Sequence, residues 1–389
     1  MNPLDRFTSC AIIDLDAIAS NVRTLADQLG PGVELYAVVK ANAYGHGAVQ
    51  VARTALESGA TRLAVAHLPE GIELRRAGIE APVLVMGYAL PAEAGAMVKH
   101  DLTATVNTIE VAQVLSNWAG TLGRTATVHV EVDTGMGRYG LLPEEVLPFV
   151  EQIDALPGLD LEGMFTHFAT ADWADRTFTR EQFDRFSKVV EAVQEAGYTP
   201  RVLHAANSAA TLDLPEMHLN AVRTGIAMYG LRPSDEVPLT VTLRPALALK
   251  SHVARVRTLP SGSGISYGHT FITSDPMPVA LVPIGYGCGY RRILSNRGSV
   301  LIRGQRAPIV GRVCMDQFMV DVSGIEDVEQ DDEVVLLGTQ GSAHISAEEI
   351  ASLAETINYE ITTGLMPRVP RVYVRRGEVV EVVGLNSAR

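Results

Sequence analysis

Eight short β-branched runs alternate with longer amphipathic stretches between residues 33 and 230, and this rhythm limits the fold more than any other feature. The runs are VELYAVV, RLAVA, PVLVMG, LTATV, TVHVEV, LEGMF, RVLHA and LNAVR. Helical spacing fills intervening residues such as 91–100, 109–119, 144–153 and 180–196. A strand that leaves into a helix returns beside itself in the same direction, so the repeat predicts parallel pairing. Eight such units predict a (β/α)8 barrel of the TIM type. An open doubly wound sheet fits the same count, because alternation does not reveal closure.

A barrel collects its chemistry at the carboxyl ends of its strands. Lys40 ends the first run, His167 the sixth and Arg223 the eighth, while His204 and Ser208 follow the seventh. In VELYAVVKANAYGHG, residues 33–47, an apolar strand finishes in an amine and a glycine-bearing turn. That suits a lysine holding a carbonyl cofactor as a Schiff base. It equally suits a lysine that snorkels from a strand end. In the fifth run Thr127, His129, Glu131 and Asp133 alternate with valines, giving one polar and one apolar face. Both faces of a barrel strand are covered, so these acids need partners, and Arg138 in the next loop is the expected cation.

After about residue 239 the texture becomes short alternating runs punctuated by Gly and Pro, which predicts an antiparallel β domain with a helix near 347–357. The opening CAIIDL run precedes the first barrel helix and is expected to join it. The predicted division is a barrel at 15–238 and a β domain from 1–14 plus 239–389, which 389 residues can accommodate. A net charge of −13 argues against a nucleic-acid partner, which would need a basic face. No run is long enough to span a membrane, and Asp5, Arg6, Asp14 and Asp16 interrupt any secretory pattern at the start. Cys10, Cys288 and Cys314 have neither disulfide nor zinc spacing, so a reducing cytoplasm and no metal are expected.

Eight ordered fragments together resemble the alanine racemases, fold-type III enzymes that use pyridoxal 5′-phosphate. They are AVVKANAYGHG, EVDTGMGRYG, FTHFATAD, HAANSAATL, VRTGIAMYG, GISYG, RAPIVGRVCMDQFMVDV and ETINYEITTGLMPRVPRVY. The resemblance implies a cofactor-bearing barrel, a C-terminal β domain and a head-to-tail homodimer with shared active sites. It implies L- and D-alanine interconversion for cell-wall precursors by two bases, Lys40 and Tyr267 of the partner subunit. Lysine suits that work because burial and nearby cations lower its pKa, whereas a phenol near ~10 needs a cationic setting.

By the same resemblance Arg223 faces the cofactor's ring nitrogen and, as a pure donor, keeps it unprotonated. His167 stacks on the ring and His204 supports Arg223. Tyr44, Ser208, Gly225, Ile226 and Tyr359 form the phosphate site. Arg138, Met315 and Asp316 face the substrate, Arg138 also holds the Tyr267 phenolate, and Arg292 lies behind it. Read without the family, Ser208 is an N-cap of SAATLDL, Tyr267 a packed hairpin residue, Met315 core and Arg223 a structural ion pair.

Three positions depart from the family pattern. Glu131 stands where many members carry a carbamylated lysine, and its own negative charge is expected to take over the orientation of Arg138. Cys288 replaces a common aspartate and His269 a small residue, which leaves a broader or serine-preferring racemase open. A cofactor-carrier barrel lacks the β domain and the opposed tyrosine, and Arg223 argues against a barrel decarboxylase.

Overall fold

A computed structural model describes residue 4 and residues 6–385 of the chain. Residues 1–3, 5 and 386–389, part of the predicted β domain, lie outside the described residues, as does Asp5. Strand β1 (Ser9–Asp14) is followed by eight short strands: β2 (Glu34–Val38), β3 (Arg62–Val65), β4 (Val83–Val85), β5 (Thr103–Thr105), β6 (Ala126–Glu131), β7 (Leu159–Phe165), β8 (Val202–His204) and β9 (Ala221–Thr224). These eight close into a parallel barrel in sequential order, with β2 pairing both β3 and β9. Closure excludes the doubly wound alternative.

The strands read as nearly continuous apolar runs because both faces are covered. Val83–Val85 and Thr103–Thr105 are wholly buried. Helices such as Ala48–Leu56, Ile109–Leu122, Pro143–Asp154 and Thr177–Glu195 return the chain between strands. Thr177–Glu195 buries Phe186, Val189, Val190 and Val193 along one stripe, the 3.6-residue period of a barrel-facing helix.

The remaining strands form one mostly antiparallel sheet: β10 (Leu247–His252), β11 (Arg255–Leu259), β12 (Met277–Val282), β13 (Ser299–Ile302), β14 (Gln305–Val310), β15 (Phe318–Asp321), β16 (Glu333–Gln340), β17 (Ala343–Ile345), β18 (Arg371–Arg375) and β19 (Glu378–Val383). Its order is β11-β12-β15-β14-β13-β16-β10-β1-β18-β19, with β17 on β16. β1 pairs antiparallel with β10 and parallel with β18. The predicted helix near 347–357 ends early, at Ala347–Leu353, and a second helix, Asn358–Thr363, follows it. By contacts the chain divides into Met1–Ala17, Tyr44–Gly47 and Pro245–Arg389 on one side, and Ile18–Ala43 with Ala48–Arg244 on the other. Counting Tyr44–Gly47 with the sheet was not anticipated.

Candidate active site

At the end of β2 the chain makes a left-handed turn. Ala41, Asn42 and Ala43 all lie near φ +52, ψ +50, and Tyr44 continues at φ 51. For residues bearing a Cβ this conformation costs about 1–2 kcal/mol each, so the turn needs outside support. Ala43 donates its N–H to the Val39 carbonyl at 2.8 Å, and Asn42 Oδ1 accepts from Ala48 N–H at 2.9 Å. Glu70 supplies more: its carboxylate accepts from the backbone N–H of Ala41 at 2.6 Å, Ala66 at 2.8 Å and His67 at 2.9 Å. Glu70 was not singled out from sequence, although Glu at the third position of the helix Leu68–Arg76 is a capping signal.

Lys40 begins this turn and is partly buried. Burial lowers its pKa, the Arg138 and Arg223 charges lower it further, and Glu70 and Glu131 oppose them. An amine so placed can exchange a proton nearer neutrality than a free lysine can.

Arg223, on β9, is 4% exposed. Its Nη1 donates to His204 Nδ1 at 2.8 Å and the His204 carbonyl at 3.0 Å. Its Nη2 reaches the carbonyls of Thr166 at 2.8 Å and Ala205 at 3.2 Å, and His167 Nδ1 at 3.3 Å. All these acceptors are neutral, and none of the described hydrogen bonds uses Nε. Burial pulls its pKa down to about 10, against the charges of Glu131 and Tyr36. His167 is held well below the usual histidine range by burial, then by Arg223, Arg138 and Lys40. Because guanidinium only donates, His167 Nδ1 accepts and the imidazole proton sits on Nε2.

Ser208 proves not to be the N-cap. Asn207 is, accepting from Ala210 N–H at 3.1 Å, and Ser208 opens the helix Ser208–Asp213. The Ser208 Oγ instead accepts from the N–H of Gly225 at 2.9 Å and of Ala227 at 3.4 Å. Its own hydroxyl hydrogen is then left for an acceptor beside the start of Ile226–Tyr229.

Glu131 is buried without a salt-bridge partner among the described residues, which corrects the pairing expected with Arg138. Arg138 is exposed, and Asp133 is satisfied by the backbone N–H groups of Gly135 and Gly137 instead. Burial raises Glu131 to about 7 against the pull of Arg223 and Arg138.

In the sheet unit, Tyr44 is buried with its ring 6.1 Å from that of Tyr359. Gly47 is required there, since a Cβ would fall 1.8 Å from the Tyr373 hydroxyl. Tyr267 stands 72% exposed between Ser266 at φ 62 and Gly268 at φ 75. Its hairpin is anchored by Ile265 and Phe271, which pack with Val279 and Val310. Ser266 Oγ donates to the Arg312 carbonyl at 2.7 Å, and the His269 ring lies over Gly264. Met315 is exposed, not core, and Asp316 pairs with Arg368 at 2.9 Å. Arg292 lines a cavity of about 400 Å³ with Thr270, Arg297 and Arg312. Cys288 and Cys314 are free thiols. No group of acids, histidines and cysteines among the described residues could hold a metal ion, and no described helix is long and apolar enough to cross a membrane.

The family model described as alanine racemase, N-terminal domain, matches residues 13–233, and that of the C-terminal domain matches 246–373. The chain belongs to the alanine racemase family. An alanine racemase from Desulforamulus reducens is 48% identical over 366 residues, 94% of this chain and 98% of its own. The crystal structure of alanine racemase from Bacillus anthracis with bound L-Ala-P superposes with a TM-score of 0.93 at 44% identity, covering 97% of each chain. A histidine racemase from Leuconostoc mesenteroides matches at 0.87 with 27% identity, covering 95% of this chain and 99% of its own. The alanine racemase fold is thus shared by a relative named for a different amino acid.

Proposed function

We propose that this chain interconverts L- and D-alanine with pyridoxal 5′-phosphate, from the carboxyl ends of the barrel strands. The observation that carries the reading is the company of Lys40: a desolvated amine under the influence of Arg223, whose Nε–H has no acceptor among the described residues. The donor set fits the cofactor. Arg223 Nε–H suits an unprotonated ring nitrogen, and the Ser208 hydroxyl with the loop at Gly225 and Ile226 suits an anionic phosphate. When bound, the cofactor supplies an aldehyde for the amine and an electron sink for the Cα–H bond.

The protein's own groups then move the proton. Lys40, lowered toward neutrality, takes it from one face of Cα or returns it there. Inversion needs a second acid-base group on the opposite face, and Tyr267 from a second copy of the chain fills that role. Its exposure on a hairpin anchored by Ile265 and Phe271 supports the reading. Arg138 is free to meet the substrate carboxylate. Arg223 limits how much charge the ring accepts, which favours proton return over side reactions. A place in the cytoplasm, supplying D-alanine for cell-wall precursors, follows from the activity proposed.

A serine-preferring or broader racemase is the second reading. It is favoured by the histidine racemase relative and by His269 in the Tyr267 hairpin. Racemisation of several L-amino acids by the purified, cofactor-loaded protein tests both. Alanine is expected to have the highest kcat/KM, and Lys40→Ala to lose at least about a thousandfold. Racemisation undiminished by Lys40→Ala and Tyr267→Phe together would sink the mechanism.

A further inference from the structure

One partly buried acid of the barrel unit has no part in that reaction: Glu162. It sits at an irregularity where Val128 pairs with Leu161 but His129 pairs with Gly163, leaving Glu162 as the extra residue of β7. A bulge re-aims the side chain it carries. Here the carboxylate meets His129 Nε2 at 3.0 Å and Arg62 Nη1 at 3.0 Å. Gly163 makes the room, since a Cβ there would lie 2.6 Å from His129 Cε1 and 2.5 Å from the Val202 carbonyl oxygen.

From Glu162 the hydrogen bonds continue without a break. His129 Nδ1 lies 3.0 Å from His204 Nε2, and His204 Nδ1 lies 2.8 Å from Arg223 Nη1. Both imidazoles are fully buried, and that of His204 stacks on the rings of Tyr36 and Phe165. The other end is tied to the strand-start side of the barrel, where Arg62 Nε bonds Glu34 at 2.6 Å.

Only one proton arrangement satisfies this chain. Arg223 can only donate, so His204 Nδ1 accepts and its proton is on Nε2. That N–H donates to His129 Nδ1, which puts the His129 proton on Nε2, facing Glu162. An imidazolium at either histidine would set two donors against each other. The electrostatics agree: burial keeps both imidazoles below the ordinary histidine range. Burial alone would raise Glu162, but His129 and then Arg62 draw it down to about 2.

We propose that Glu162 and His129 are positioning residues that act on Arg223 through His204, polarising every bond in one direction and setting how strongly Arg223 donates from its free Nε. The proposal rests on the reading of Arg223 as the group that meets the cofactor's ring nitrogen. Aligned donors strengthen one another by roughly 10–30% per bond, so a carboxylate three links away still alters the last donor.

Nitrogen NMR of labelled histidines in the full chain, with and without cofactor, tests the relay. Both rings are expected neutral, with the proton on Nε2, from about pH 5 to about pH 8. Glu162→Gln keeps an acceptor but removes the charge. It is expected to move the His204 nitrogen resonances and lower kcat for alanine about tenfold, with KM within about twofold, and Glu162→Asp to recover part of the loss. A ring that titrates in that range, or His204 resonances unmoved by Glu162→Gln, overturns the relay. A melting temperature that falls while kcat and its pH profile stay at wild-type values marks a merely structural carboxylate and also overturns it. A wild-type chain inactive on alanine overturns the activity reading alone, and the nitrogen resonances then still decide the relay.

Discussion

Glu131 sits at the end of β6, 4% exposed, and burial lifts its carboxyl to about 7 from 4.5. Between those values the unfolded chain has released this proton while the folded chain still holds it. Folding stability therefore declines as pH rises through that window, by about 3 kcal/mol in all. Glu131→Gln is expected to remove that decline in the cofactor-free protein. Urea unfolding of both proteins at about pH 5 and about pH 8 measures it, and an equal decline in the variant would refute the assignment. The same variant bears on the expected substitution for a carbamylated lysine. Full activity and unchanged carboxylate affinity would rule that out. The acid at 131 was legible, but its want of a salt-bridge partner among the described residues was not, since that depends on how far the exposed Arg138 stands from it in the folded chain.

At the scale of one element, the left-handed turn after Lys40 is tied by the Ala41 N–H to Glu70, whose carboxylate also caps its own helix through the N–H groups of Ala66 and His67. Glu70→Ala should cost about 1 kcal/mol, since the helix Leu68–Arg76 loses its capping carboxylate and Ala41 its charged acceptor while water can reach the freed donors. It should also speed amide exchange at Ala41, Ala66 and His67. Hydrogen exchange resolved to those residues provides the check, and unchanged protection there would show that the turn stands without Glu70. Helix and strand positions followed from apolar period, but caps and bulges did not. Asn207 took the cap expected of Ser208, and the extra residue at Glu162 leaves no mark in LEGMF. Both are settled by the backbone register of a neighbouring strand or turn.

For the whole molecule, the proposal of shared sites makes a prediction that no single chain can mimic. Lys40→Ala and Tyr267→Phe homodimers should both be nearly inactive. After the two are unfolded and refolded together, half of the dimers are mixed and each has one site with both native residues, so roughly a quarter of wild-type activity should return. No recovery, with dimers present by sedimentation, would mean that each chain uses its own tyrosine. The sequence by itself determined the eight strand–helix units, the antiparallel character of the second half and which residues end the strands, because apolar period and strand–helix alternation are local properties of the chain. Only the tertiary structure decided closure of β9 onto β2, the bare Nε–H of Arg223 and the line of contacts from Arg223 to Glu162. Those depend on side chains brought together from β3, β6, β7, β8 and β9, and no spacing along the chain encodes a distance of 3.0 Å between residues 75 positions apart.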